Sequence, residues 1–88
     1  MSLRFAHSAH KHGISRERAA YVIDHCGLPY EGLEDDGDAV LFFGDDWNGM
    51  SLEVGAIELE DGDLLVIHAM PLRRKDEDFY VGALPWRR

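Results

Sequence analysis

Four histidines and a run of cations are the residues best equipped for chemistry. His7, His10 and His12 fall within AHSAHKHGIS, residues 6–15, and His68 is the one polar residue of LLVIHAM, 64–70. PLRRK, 71–75, follows His68 directly and supplies Arg73, Arg74 and Lys75. Neutral imidazoles bind zinc, and imidazoles exchange protons near neutral pH. On a helix His12 points about 160° away from His10, so the first three do not converge. A zinc site would therefore have to combine His7 and His10 with His68. His68 interrupts an apolar strand pattern, and a polar side chain there needs a partner or a solvent-lined site. It is either a satisfied structural histidine or a general acid–base. Beside it, Arg73, Arg74 and Lys75 are suited to hold phosphate and to stabilise charge developing in phosphodiester cleavage. The competing reading is a solvated turn, neutralised in part by Asp76, Glu77 and Asp78. Trp47, in GDDWNG at 44–49, either stacks on a base, anchors a protein partner or folds back on the core.

The elements that position these groups follow from spacing. Residues 5–12 read as a short helix with His7, His10 and Lys11 on one face, stopped by Gly13. Ser15 caps a second helix over about 16–26, whose stripe is Ala19, Ala20, Val22, Ile23 and Cys26. Gly27 and Pro29 end it. A short strand over 28–33 comes next, and then a strand at 39–43. The Asn48-Gly49 turn leads to a strand over 51–60 whose apolar positions change phase at Gly55, the mark of a β-bulge. Asp61-Gly62 turns the chain into Leu64–Met70, read as the central strand because it is apolar on both faces. Residues 75–81 form a short helical turn. The expected fold is α+β: two N-terminal helices followed by a three- to four-stranded antiparallel meander and a short C-terminal helix turn.

Eighty-eight residues make a single domain, 1–88, with a thin core. The net charge is −8, unevenly placed. Residues 31–63 hold twelve acids and no Lys or Arg, whereas 1–30 hold four Lys/Arg against two acids and 64–88 hold five against three. If the two ends meet, a basic surface forms on an acidic protein. The lone Cys26 fits a packed thiol and a reducing, cytoplasmic setting. No apolar run is long enough to span a bilayer, so no membrane partner is expected.

Lys11-His12-Gly13-Ile14-Ser15, the β-meander, and Ile67-His68-Ala69 followed by Arg73, Arg74 and Tyr80 together resemble the BrnT-like branch of the RelE toxin superfamily, the ribonuclease halves of bacterial type II toxin–antitoxin pairs. The similarity runs from about residue 4 to 81, and its specific part is KHGIS. It implies a compact α+β endoribonuclease that cuts RNA without metal or cofactor and is held inactive by a cognate antitoxin. Lys11, Arg73 and Arg74 match functional positions of that pattern. Where the family reads I-S-A-R this chain has Ile67-His68-Ala69-Met70, so the serine position is His68 and the arginine position is Met70.

The leading expectation is a toxin-like endoribonuclease. In it His68 is the acid or base, Lys11 and Arg73 hold the scissile phosphate, and Arg74, His7 and Trp47 bind substrate. The alternative is a non-catalytic interaction module whose acidic middle binds a basic protein, with Trp47 as anchor. An uncovered strand edge would also permit a homodimer.

Overall fold

Ser15 stands in extended conformation and its hydroxyl accepts the Arg18 amide at 3.2 Å, which starts α1, Arg16–His25. Gly13 precedes it at φ 72°, a turn that a side chain resists. The computed structural model describes residues 2–26, 29–31 and 39–87. Around α1 lie β1 (Leu3–Phe5), a 3-10 turn (His7–His10), β2 (Tyr30–Glu31), β3 (Val40–Asp45), β4 (Ser51–Glu58) and β5 (Leu64–Pro71). A second 3-10 turn (Arg74–Asp76) leads into α2 (Glu77–Ala83), and a third (Leu84–Trp86) follows it.

The expected pair of N-terminal helices and simple antiparallel meander is overturned. One helix is N-terminal and the other C-terminal, and the sheet is mixed, with five strands in the order β1-β5-β4-β3-β2. β1 runs parallel to β5, while the other pairs are antiparallel. Of the first helix expected over 5–12, Phe5 belongs to strand β1 and His7–His10 form one 3-10 turn. A helix there would have buried little, since Ala9 alone of His7–His10 reaches the core. Strand β1 sends Leu3 and Phe5 to the core and Arg4 outward, to Asp61 and Asp63 at 2.7 and 3.1 Å. Those exposed ion pairs fix the register more than they stabilise it.

Other expectations need smaller corrections. β4, not β5, is the middle strand, although β5 is interior, flanked by β1 and β4. Of the strand expected over 28–33, Tyr30–Glu31 is formed, and 28, 32 and 33 lie outside the described residues. The helical turn expected at 75–81 is α2, which runs on to Ala83.

Each face of the sheet has its own cover. α1 packs Ala19, Val22, Ile23 and Cys26 over Phe42, Leu52, Val54, Ala56, Leu64, Val66 and Ala69. The opposite face holds the fully buried Leu41 and Phe43, with Phe43 against Phe79 of α2 and Tyr30 of β2. The expected bulge is present at Gly55, but the extra residue is on the other strand. Gly55 pairs with His68 and Ala56 with Val66, so Ile67 is left over. Its carbonyl accepts the Ser8 hydroxyl at 2.7 Å. This single residue changes which side β5 shows. Leu64 and Val66 face α1, yet beyond the bulge Ala69 does, and His68 turns to the opposite face.

Candidate functional site

Glu53 is the centre of the face that His68 joins. It sits on β4 between Leu52 and Val54, and its side chain has no exposed surface. A buried carboxylate must be paired and hydrogen-bonded to persist. Arg73 does this completely. Its amide and Nε donate to Glu53 Oε1 at 2.8 and 3.0 Å, and an Nη donates to Oε2 at 2.6 Å. His68 Nε2 lies 3.7 Å from the same Oε2, with 20% of its side chain exposed. The imidazole reaches this place because its cross-strand partner is Gly55. A Cβ on Gly55 would stand 2.7 Å from Cε1 and 3.0 Å from both ring nitrogens, so the ring lies directly on the β4 backbone.

Asp76 closes the group from the start of α2. It is buried, with Arg73 Nη 3.5 Å from Oδ2 and Lys75 Nζ 3.9 Å from Oδ1. The two carboxyls are driven apart in proton affinity. Burial raises the Glu53 carboxyl, but the hydrogen bonds and charge of Arg73 outweigh it and hold Glu53 below the usual carboxylate range. Burial and then the charge of Glu53 push Asp76 up, against Lys75 and Arg73. An acid whose folded pKa is raised stabilises the fold below its unfolded value and loses that contribution as pH climbs through the folded one. Asp76→Asn removes the charge and offers Glu53 an amide N–H in its place. Urea unfolding is expected to show it more stable than wild type by about 0.5–1 kcal/mol at neutral pH. The advantage should shrink at acid pH, as the raised Asp76 carboxyl takes up its proton. An equal gain at both pH values would show that ionisation of Asp76 is not its source.

The structure thus joins His68 and Arg73 through Glu53. Arg74 is exposed immediately beyond Arg73, at the start of a 3-10 turn. Lys11 and His7 are exposed at the two ends of the His7–His10 turn, which Ser8 fastens to the residue before His68. His10 stacks on Phe5 at 6.3 Å. Among the described residues no three His, Cys, Asp or Glu side chains converge as a metal cluster. Trp47 is 53% exposed and sets its edge on Tyr21 at 5.7 Å. Its loop is held by Asp46, which accepts the Asn48 and Met50 amides and the Arg18 guanidinium.

Sequence reasoning passed over Glu53, Gly55 as the seat of the imidazole, and Asp76 as a buried acid. A signal for Glu53 was present: a charge between two inward residues of a strand points to the other face, along with Gly55. Cys26 is buried, as its helical position suggested, and its thiol donates to the Ile23 carbonyl at 3.6 Å. No described helix is long and apolar enough to cross a membrane. The chain matches no protein-family model, no curated protein and no solved structure.

Proposed function

We propose that this chain is a metal-independent endoribonuclease, toxin-like in the sense of the BrnT and RelE resemblance, with His68 as its acid–base group. The observation that carries the reading is the His68 imidazole, a fifth of its side chain exposed, seated on Gly55 with its buried Nε2 set 3.7 Å from the ionised Glu53. A carboxylate this close to an imidazole offsets the positive charge that the ring carries while it holds a transferred proton. Cleavage needs the RNA 2′-OH to lose its proton as its oxygen attacks phosphorus, and the departing 5′-oxygen to gain one. The products are a 2′,3′-cyclic phosphate and a 5′-OH, with no oxidant or metal consumed. Exposed Arg74 and Lys11 are the cations for the phosphate. Arg73 serves differently: both Glu53 oxygens occupy it, so it positions the carboxylate that positions His68. Under this reading the partners are RNA and, by the resemblance, a cognate antitoxin that silences the chain.

The test is purified protein with short single-stranded RNA in excess chelator. The expected result is fragments ending in cyclic phosphate, together with growth arrest and cut RNA after a pulse of expression in bacteria. Intact RNA in both settings, with folded protein present, would reject the proposal. Gly55→Ala probes the same geometry from the opposite strand. The added methyl pushes the imidazole off β4, and activity is expected to fall about 10²-fold with little change in thermal midpoint, since the displaced ring lies partly in solvent and can move outward. Unchanged activity would mean that the ring's seat is irrelevant.

A second reading, a protein-interaction module, rests on Trp47 standing exposed at the edge of the acidic middle. Such a complex should weaken in high salt as the charges are screened.

A further inference from the structure

We infer a second site, a stacking subsite for one nucleobase, in the cavity of about 210 Å³ lined by Tyr21, His25, Gly44, Asp45, Asp46 and Arg87. It takes its ligand class from the ribonuclease reading above, but its lining includes neither His68 nor Glu53.

The rings of Tyr21 and His25 line the cavity, and Trp47 adjoins it through Tyr21. On α1, Tyr21 and His25 are one helical turn apart and their rings stack at 4.0 Å and 20°. His25 is fixed further by Nδ1, 2.8 Å from the Tyr21 carbonyl oxygen. Trp47 meets the Tyr21 ring edge-on at 83°. Because Asp46 ties down both amides of the loop after Trp47, the indole is presented on a fixed loop. Arg87 reaches across from the C-terminal side to Asp45 at 3.2 Å, its guanidinium 5.0 Å above the Tyr80 ring. Every base has a π-face, so rings placed this way accept bases with little regard to sequence.

Charge supports the same ligand. The chain is acidic overall, but here each carboxylate has its own guanidinium: Asp46 holds Arg18 at 2.7 Å and Asp45 holds Arg87. The wall is close to neutral and does not repel a polyanion. A larger cavity of about 410 Å³, rimmed by Asp24, Glu31 and Glu58, lacks this compensation. The carboxylates are also saturated. Asp45 accepts from Ser51, Tyr80 and Arg87, and Asp46 from Arg18 and two amides. Little acceptor capacity remains to read a base edge, so preference should follow stacking area, purine above pyrimidine.

The chain has two tryptophans, so Trp86→Phe leaves Trp47 as the sole reporter. That variant, in a His68→Ala background, is titrated with the four nucleosides and with a short single-stranded RNA. Saturable quenching of Trp47 is expected, stronger for purines, and Tyr21→Leu should weaken it about tenfold while circular dichroism stays unchanged. No saturable quenching by folded protein overturns the inference. So does quenching that Tyr21→Leu leaves untouched. A tyrosine-bearing dipeptide that shifts Trp47 emission where nucleosides do not overturns it in favour of a protein contact. The two proposals fail separately. Cleavage without quenching removes the subsite and keeps the ribonuclease; quenching without cleavage does the reverse.

Discussion

His68→Ala is expected to abolish RNA cleavage, by about 10²–10⁴-fold, while the protein stays folded. Loss of a positioned acid–base group takes away proton transfer but not substrate binding, so KM should hold while kcat falls. The fold should tolerate the change because the bulge at Ile67 has already turned His68 away from the α1 core, and a fifth of the side chain meets solvent. Val66 and Ala69, on the buried side, are untouched. Added imidazole should restore part of the rate to His68→Ala, because the space over Gly55 is left open to it, and should do nothing for wild type. A structural histidine would show no such rescue. If His68→Ala cuts as fast as wild type, the acid–base role is wrong, and Arg74 and Lys11 lose their context with it.

Arg73→Met is expected to cost about 3 kcal/mol of stability at neutral pH, the effect of leaving one member of a buried ion pair behind. Glu53 cannot follow its lost partner into water, since its side chain is wholly enclosed. The pH dependence distinguishes this from ordinary loss of packing. In wild type the Glu53 carboxyl titrates below its unfolded value, so it stabilises the fold above that unfolded value and stops doing so as pH falls through the folded one. Without Arg73 the burial that opposes this shift prevails, the sign reverses, and the penalty is relieved as Glu53 takes up a proton. Urea unfolding should therefore show a large gap between wild type and Arg73→Met at neutral pH and a small one near about pH 4. Glu53→Gln combined with Arg73→Met should recover much of the loss, because a neutral amide can be buried at lower cost. A gap that is the same at both pH values would place the cost in packing of the arginine stem. Activity should fall with Arg73→Met even where the protein is folded, since Glu53 then no longer orients His68 as an anion.

Local chemistry was legible where a residue acts on its own neighbours. The Ser15 cap, the α1 stripe ending at Cys26, the left-handed turns at Gly13, Gly49 and Gly62, and the strands β3, β4 and β5 are each written in a few adjacent residues. The first segment was misread because His7, His10 and Lys11 have helical spacing with Phe5, Ala6 and Ala9 on the other side, yet Ala9 alone of His7–His10 is buried. What Leu3 and Phe5 gain is contact with β5, some sixty residues away, and nothing nearby reveals it. The polar centre was half legible. His68 stood out as a polar residue in an apolar strand, while Glu53 was lost among the twelve acids of an apparently solvated middle.

By itself, then, the sequence determined α1, its Ser15 cap, the hairpin turns and the presence of a bulge near Gly55, because these depend on backbone dihedrals and hydrogen bonds within a few residues; the stop expected at Gly27 lies outside the described residues. Only the tertiary structure decided that β1 joins the sheet, that the bulged residue is Ile67, and that His68 meets Glu53 and Arg73. A one-residue slip between two strands exchanges the faces of everything beyond it. Which strand carries the slip depends on packing and pairing across the whole sheet, and that choice placed the imidazole beside the buried carboxylate.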